Sequence, residues 1–286
     1  MNADLSSKIE LVNISDTGMK RPHNEDSAIT DPTIGLAIVA DGMGGHKAGE
    51  VASAIAAKSI LDTVRRDIQT AHDGARAPQA ELSPEALLIR KSIADANRYI
   101  FKTATEIPQC QGMGTTIVAV LFYNNMITIA HVGDSRVYRM RNGDLAQITK
   151  DHSLVQELID RGFFTPEETE ANTPKNLVTR ALGIDEKVEV DIQEHAAKPG
   201  DIYLLCSDGL NDMVDDEEIR LTLSKYGTNL GEAAHELVRL ANESGGKDNI
   251  SVVLARPRAP FPANAGVFPN LMSLLTSGRQ IRRNDG

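Results

Sequence analysis

The sequence predicts a mixed α and β domain in which antiparallel sheets are layered with helices outside. Three observations carry that expectation. Apolar periodicity switches several times along the chain between strand-like and helix-like spacing, and no internal repeat is visible. Two runs rich in β-branched residues, TTIVAVLFY (115–123) and MITIAHV (126–132), are joined by Asn124-Asn125, a hairpin-like turn. Strands and long helices do not alternate strictly, which argues against a doubly wound parallel sheet.

Further strand-like runs are IELVNI (9–14), GLAIVA (35–40), RVYRM (136–140), DIYLLCS (201–207) and NISVVLA (249–255), with EVDI near 189–192. A helix should start at Ser83-Pro84-Glu85, a cap followed by a first-turn proline. Ile89, Ile93, Ala96, Ile100 and Ala104 then fall at spacings of three and four and form one apolar face. The alanine-rich segment 47–66 is apolar over most of its circumference, so a helix packed deep against a sheet is expected there. Asp215 to Lys225 and Leu230 to Glu243 read as two more helices, the second stopping before Gly245-Gly246. Residues 67–82 mix alanine, proline and charge and read as a loop insertion. Residues 256–286 carry four prolines and end in RQIRRNDG, so the expected domain is 1–258 with a mobile tail over 259–286.

Composition excludes several classes. Hydrophobic residues at 41%, charged residues at 24% and a mean hydropathy of -0.25 are those of a soluble globular chain. A net charge of -10 disfavours nucleic acid, which attracts basic surfaces. No stretch approaches the roughly 18 apolar residues of a membrane helix, and MNADLSSKIE lacks a basic start followed by an apolar run, so a cytoplasmic protein is expected. Two cysteines, Cys110 and Cys206, are too few for a disulfide framework, and neither suggests catalysis.

The chemistry is carried by acids. Asp-Gly occurs four times, at Asp41, Asp73, Asp208 and Asp285, and any one of these alone reads as a turn. Asp41 and Asp208 differ in directly following strongly apolar runs, LAIVA and IYLLCS. Asp134 similarly ends MITIAHVG, and Asp248 precedes NISVVLA. In an antiparallel sheet the carboxyl end of one strand lies beside the amino end of its neighbour, so these acids can converge on one edge. Such a cluster repels itself unless cations neutralise it. An all-oxygen set without paired His or Cys selects hard ions such as Mg²⁺ or Mn²⁺. Gly42 lets the backbone approach an ion closely. Arg21, four residues before Glu25-Asp26, adds a planar fork suited to phosphate oxygens.

Together these segments resemble the type 2C family of metal-dependent protein phosphatases, in its bacterial branch. The motifs, in the family's order, are Arg21-x-x-Asn24-Glu25-Asp26, Val39-Ala40-Asp41-Gly42-Met43-Gly44-Gly45, Gly112-Met113-Gly114-Thr115-Thr116, His131-Val132-Gly133-Asp134-Ser135-Arg136, Thr149-Lys150-Asp151-His152-Ser153, Ser207-Asp208-Gly209-Leu210 and Lys247-Asp248-Asn249-Ile250. The resemblance covers about residues 9–255. It implies a four-layer α-β-β-α sandwich, two central antiparallel sheets flanked by helices, with two Mn²⁺ or Mg²⁺ ions at one end. In that likeness Asp41 resembles the bridging ligand, with the Gly42 carbonyl on the second ion, and Asp208 and Asp248 look like ligands of the first. Glu25 would act through metal-held water, Asp26 would orient the shared water, Arg21 would bind phosphate, and Asp134 would serve a weaker third ion.

The implied reaction is direct hydrolysis of phosphoserine or phosphothreonine by water activated on the metals, without a phosphoenzyme. The eukaryotic branch commonly has a histidine at the place of Met43, which has no proton to donate; His46 is an alternative donor, as is water. Residues 147–187 resemble the flap subdomain beside the bacterial active site, with Asp151, His152, Ser153 and Arg180 as its substrate-side residues. Expected partners are phosphorylated protein substrates and an opposing Ser/Thr kinase, with no nucleic acid, no membrane span and a monomeric chain. Two other readings compete: a catalytically inactive phosphoprotein-binding regulator, and a phosphoesterase acting on small molecules.

Overall fold

The computed structural model describes residues 4–45, 47–73, 81–163, 165 and 177–261 of the 286. Strands β1 (Ile9–Asp16), β2 (Asp26–Asp31) and β3 (Leu36–Met43) are followed by helices α1 (Ala48–Asp73) and α2 (Pro84–Glu106). Then come β4 (Gly114–Thr115), β5 (Ile117–Tyr123), β6 (Met126–Val132), β7 (Arg136–Arg141), β8 (Asp144–Gln147) and α3 (Leu154–Asp160). The remainder is β9 (Asp191–Ala196), β10 (Ile202–Cys206), the short α4 (Asp208–Asn211), α5 (Asp216–Tyr226), α6 (Leu230–Glu243) and β11 (Ile250–Pro257). One sheet has the order β1-β11-β10-β7-β8 and the other β2-β3-β5-β6-β9, with β4 paired to β3. Every pairing is antiparallel.

Side-chain alternation turns these strands into layers. Along β3, Leu36, Ile38 and Ala40 pack with α1 and α2, whereas Ala37 and Val39 face the other sheet. Along β5, Ile117, Ala119 and Leu121 go outward and Val118, Val120 and Phe122 inward. β10 and β11 repeat the pattern: Leu204, Cys206, Val252 and Leu254 meet α5 and α6, while Tyr203, Leu205 and Val253 fill the space between the sheets. Strands buried on both faces read as near-continuous apolar runs, which is how they stood out in the sequence. The outcome is the expected α-β-β-α sandwich.

Local signals placed several elements correctly. Asn124 and Asn125 have φ of 47° and 59°, the left-handed pair a two-residue hairpin needs, and β5 pairs with β6 across them. Ser83 caps α2 by accepting from the Ala86 N–H at 3.0 Å, and Ile89, Ile93, Ala96 and Ile100 are buried beneath it. Other boundaries moved. α1 continues to Asp73 because Ile68 extends the buried face of Ile60, Leu61 and Val64, so the first part of the expected 67–82 loop is helical. β2 and β8 were not foreseen, being short, partly exposed and lacking an apolar run. The EVDI strand lies slightly later, at Asp191–Ala196.

Residues 259–261, the start of the expected tail, pack against the body. Phe261 is only 4% exposed; its ring lies edge-on to Phe122, centroids 6.2 Å apart. Its N–H donates to Asn125 Oδ1 at 2.6 Å, and its carbonyl accepts from the Asn125 N–H at 3.3 Å. Residues 262–286 lie outside the described residues. We therefore expect a chain ending at 258 to be less stable than one ending at 261 by about 3 kcal/mol, the typical cost of removing a buried phenyl group. Equilibrium urea unfolding of the two chains is the check; equal midpoints would place the boundary back at 258.

Candidate metal centre

Strand register assembles the acids. Asp26 and Asp41 are directly opposite one another where β2 begins and β3 nears its end. β6, two strands from β3, runs parallel to it, so Asp134, just past Val132, emerges at the same edge. In the other sheet Cys206 pairs with Val252, which brings Asp208 after β10 close to Asp248 before β11. The charges of Asp26, Asp208, Asp134 and Asp248 all act on Asp41, in that order of size after burial. The expected carboxylates therefore form one centre across the ends of both sheets.

Backbone and hydroxyl groups hold these acids in place. Thr115 Oγ1 and the Thr116 N–H donate to the Asp41 carbonyl at 2.8 and 2.9 Å. The Asp41 N–H donates to Thr116 Oγ1 at 3.1 Å, and that hydroxyl is bonded in turn to Ser135 Oγ at 2.7 Å. Ser207 Oγ donates to Asp26 Oδ2 at 2.8 Å. These hydroxyls were visible in the quoted motifs, but spacing gave no signal of what they would touch. Gly42 has a steric requirement: a Cβ there would lie 2.1 Å from the Gly49 carbonyl oxygen and 2.5 Å from that of Glu25. Gly49, at the start of α1, faces the Glu25 carboxylate, with an added Cβ 2.6 Å from Glu25 Oε2. The sequence reading passed over Gly49.

Electrostatics fit a cation site. Burial, followed by the charges of Asp134 and Asp212, pushes Asp208 up to about 8. Burial pushes Asp26 up to about 6, and burial with Asp151 does the same for Asp134, which is 8% exposed. Asp41 is raised well above the carboxylate range by burial and Asp26, and burial raises Glu25. Asp26 Oδ1 and Asp208 Oδ1 are buried without a hydrogen-bond partner. Unpartnered buried carboxylate oxygens are costly unless something electropositive meets them, and an all-oxygen donor set suits Mg²⁺ or Mn²⁺. The residues therefore fit the metals that the sequence implies. Arg21, with 53% of its side chain exposed, stands at the rim, its Nη2 2.5 Å from Asp248 Oδ2.

The residues expected in the flap, on the substrate side, each make packing contacts there. Asp151 accepts from Arg136 Nε and Nη2 at 3.0 and 2.7 Å. His152 is buried, with Nδ1 accepting from the Gly133 N–H at 3.1 Å. Buried Ser153 caps α3 by accepting from the Gln156 N–H at 3.3 Å. His152 thus ties its stretch of chain to Gly133 and Asp151 ties it to Arg136, while Ser153 starts the helix that follows. Arg180 donates to Asp191 Oδ1 at 2.7 Å. It also lines a cavity of about 400 Å³ with Met43, Val178, Ile184, Lys187 and Val188. Met43 follows Gly42, so this cavity adjoins the acid centre.

A second set of ligand-type atoms, on His131, His152 and Asp191, lies within 4.8 Å of one another. Its hydrogen bonds are already committed. His131 Nε2 meets the Lys150 carbonyl at 2.8 Å, His152 Nδ1 takes the Gly133 N–H, and the Arg180 guanidinium sits 3.2 Å from His152 Nε2. A cation there would face Arg180. The two rings stack with centroids 4.7 Å apart, and burial lowers both their pKa values. They form a neutral polar brace.

A four-layer sandwich with a carboxylate centre at one end of its paired sheets defines a metal-dependent phosphatase architecture. The chain belongs to the protein phosphatase 2C family, whose model matches residues 22–247. It is 40% identical over 241 residues to the serine/threonine protein phosphatase PstP of Mycobacterium tuberculosis, covering 84% of this chain and 43% of PstP. The chain thus spans less than half the length of that relative. It is 39% identical over 245 residues to the serine/threonine phosphatase stp of Listeria monocytogenes, covering 84% of this chain and 92% of that protein. The crystal structure of the PstP catalytic domain in complex with two manganese ions superposes with a TM-score of 0.73 at 38% identity, covering 87% of this chain and 98% of that one.

The raised carboxyls predict how the metal-free fold responds to pH. Asp26, Asp134 and Asp208 hold protons more tightly folded than unfolded, where a carboxyl titrates near about 3.9. The stabilisation from protonating them is therefore present at low pH and lost as pH rises through about 6 and then about 8. With chelator present, the melting temperature should fall between about pH 5 and about pH 8.5, and saturating Mn²⁺ should remove most of that fall. A flat profile in chelator would mean that the acids do not share one buried centre.

Proposed function

We propose that this chain is a protein serine/threonine phosphatase that hydrolyses phosphoserine and phosphothreonine at a binuclear Mn²⁺ or Mg²⁺ centre. The observation that carries the reading is the convergence of Asp26, Asp41, Asp134, Asp208 and Asp248 with two partnerless buried oxygens, inside a protein phosphatase 2C fold. Relatives named serine/threonine phosphatases support it. Asp41, the Gly42 carbonyl, Asp208 and Asp248 would hold the two ions, Glu25 would act through water, and Asp134 would serve a weaker third. When bound, such ions neutralise the carboxylates and phosphate and make a water acidic enough to attack phosphorus at neutral pH.

The chain's own groups do the rest. Asp26 has one oxygen fixed by Ser207 and the other unpartnered, which suits it to accept a hydrogen bond from the attacking water and set its direction. Arg21 sits at the rim and can turn its fork from Asp248 onto two phosphate oxygens. Met43 has no proton to give the leaving alkoxide, so solvent or His46, which lies outside the described residues, would supply it. The complete acid set opposes an inactive, purely binding role. The proposed setting is the cytoplasm, opposite a bacterial Ser/Thr kinase; no described helix is long and apolar enough to cross a membrane.

The cavity beside Met43 gives the proposed substrate its flanking contacts. Met43, Val178, Ile184 and Val188 give it an apolar lining, and Lys187 and Arg180 bring cations beside the acids Asp185 and Glu189. A phosphopeptide with its phosphate at the acid centre would lay a neighbouring side chain there, so the 147–187 segment would read sequence around the phosphorylated residue.

Two tests follow from this reading. Turnover of phosphothreonine peptides should require Mn²⁺ or Mg²⁺, vanish in chelator and exceed turnover of nucleotides; a preference for nucleotides would favour the small-molecule phosphoesterase. Ile184→Asp, at a side chain 50% exposed, should raise KM for an apolar-flanked phosphopeptide by about tenfold while leaving aryl phosphate kinetics nearly unchanged. Equal effects on both substrates would remove the cavity from substrate recognition.

A further inference from the structure

Asn249 joins three of the segments that carry the acid centre, and its side chain uses every hydrogen-bonding group it has there. Its Oδ1 accepts from the Glu25 N–H at 2.8 Å. Its Nδ2 donates to the Thr17 and His23 carbonyls, both at 2.9 Å. Because two carbonyls and one N–H surround the amide, its orientation is fixed by what it touches. The residue is 5% exposed. Its main chain is held too: the N–H donates to Asp248 Oδ1 at 2.8 Å, and the carbonyl lies 3.3 Å from Ser207 Oγ, whose one proton goes mainly to Asp26 at 2.8 Å. That carbonyl oxygen would lie 2.0 Å from a Cβ on Gly209, so it also packs tightly behind Asp208.

The loop it grips, 17–25, contains Arg21 and Glu25 but belongs to no strand or helix. A loop of that kind loses its geometry readily unless side chains satisfy its backbone groups. Thr17 and His23 bracket Arg21, so the two Nδ2 bonds hold both ends of the stretch that presents the guanidinium. The Oδ1 bond fixes Glu25 beside Gly42, whose N–H donates to the Glu25 carbonyl at 3.2 Å.

We infer that Asn249 is a positioning residue: it aims Arg21 at substrate phosphate and sets Glu25 over the acid centre, touching neither substrate nor metal itself. The inference uses the phosphatase reading for its kinetic readout, whereas its hydrogen-exchange readout does not depend on activity. A double-mutant cycle on the full chain tests it with an aryl phosphate at saturating Mn²⁺. Arg21→Ala should lower kcat/KM strongly in the wild-type background, mainly through KM. In the Asn249→Ala background it should cost less than about threefold more, because the guanidinium is no longer aimed.

Asn249→Asp has the same size but turns a carboxylate oxygen towards the Thr17 and His23 carbonyls, so it should be at least as impaired as Asn249→Ala. Gly18→Ala reaches the same loop with the Asn249 side chain retained, pressing on the Asp248–Asn249 peptide from the loop side. Gly18 has φ of +76°, and an added Cβ would lie 2.2 Å from the Asp248 carbonyl oxygen, so the same loss of coupling to Arg21 is expected. In metal-free protein, Asn249→Ala should speed exchange of the Glu25 amide by about tenfold or more, with the β3 amides unchanged. Three results would each overturn the inference: equal Arg21→Ala factors in both backgrounds, wild-type kinetics in Asn249→Asp, or an unchanged Glu25 exchange rate. Absence of phosphatase activity in the wild type, with the exchange result intact, would sink the functional reading and the aiming of Arg21 with it, and leave only the hold of Asn249 on Glu25.

Discussion

Mutual repulsion among the carboxylates is the constraint to which the rest of the structure answers. Asp26, Asp41, Asp134, Asp208 and Asp248 act on one another across the ends of two sheets, and burial multiplies the effect. An unsupported cluster of this kind would be relieved by small shifts of any strand end. Here the strand ends cannot shift, because the same strands carry the inter-sheet core of Val39, Val118, Phe122, Tyr203, Leu205 and Val253. Each such buried side chain contributes roughly 1.5–3 kcal/mol. The apolar layers thus hold a charge distribution that metal binding would relieve, and the excess repulsion is a standing source of cation affinity.

Close backbone approach is the second requirement. Gly42 and Gly49 allow the end of β3 and the start of α1 to meet with no space for side chains, and Gly209 does the same behind Asp208. Around them Thr115, Thr116, Ser135 and Ser207 bind the backbone and carboxylates at hydrogen-bond distance while adding no charge. Small hydroxyl residues suit this position because they satisfy buried polar groups without filling the cleft.

The described residues of the 147–187 segment connect this centre to its surroundings. Arg136 and Asp151 pair beside the Asp134 turn, the His131–His152 stack closes its inner side, and Arg180 ties it to Asp191. Anchored at that end, the segment leaves Ile184 and Lys187 facing the cavity beside Met43. The proposed substrate contacts and the support of Asp134 would therefore come from one stretch of chain, so sequence changes that alter specificity would risk altering the acid centre.

Much of this was legible in the sequence, for local reasons. Doubly buried strands show as apolar runs, Asn124-Asn125 as a left-handed hairpin turn, and Ser83-Pro84 as a helix start, since each signal depends only on neighbouring residues. The acids at strand ends were found in the same way, as departures from apolar runs. Partners distant in the chain were not legible. Short edge strands β2 and β8, the contacts of Asp151 and His152, and the three bonds of Asn249 depend on contacts between segments widely separated in sequence. The sequence by itself determined the layers, the set of acids and the family likeness. Only the tertiary structure decided which side chains face the cleft and which hold it in shape, because that choice depends on register and packing between segments that no local pattern encodes.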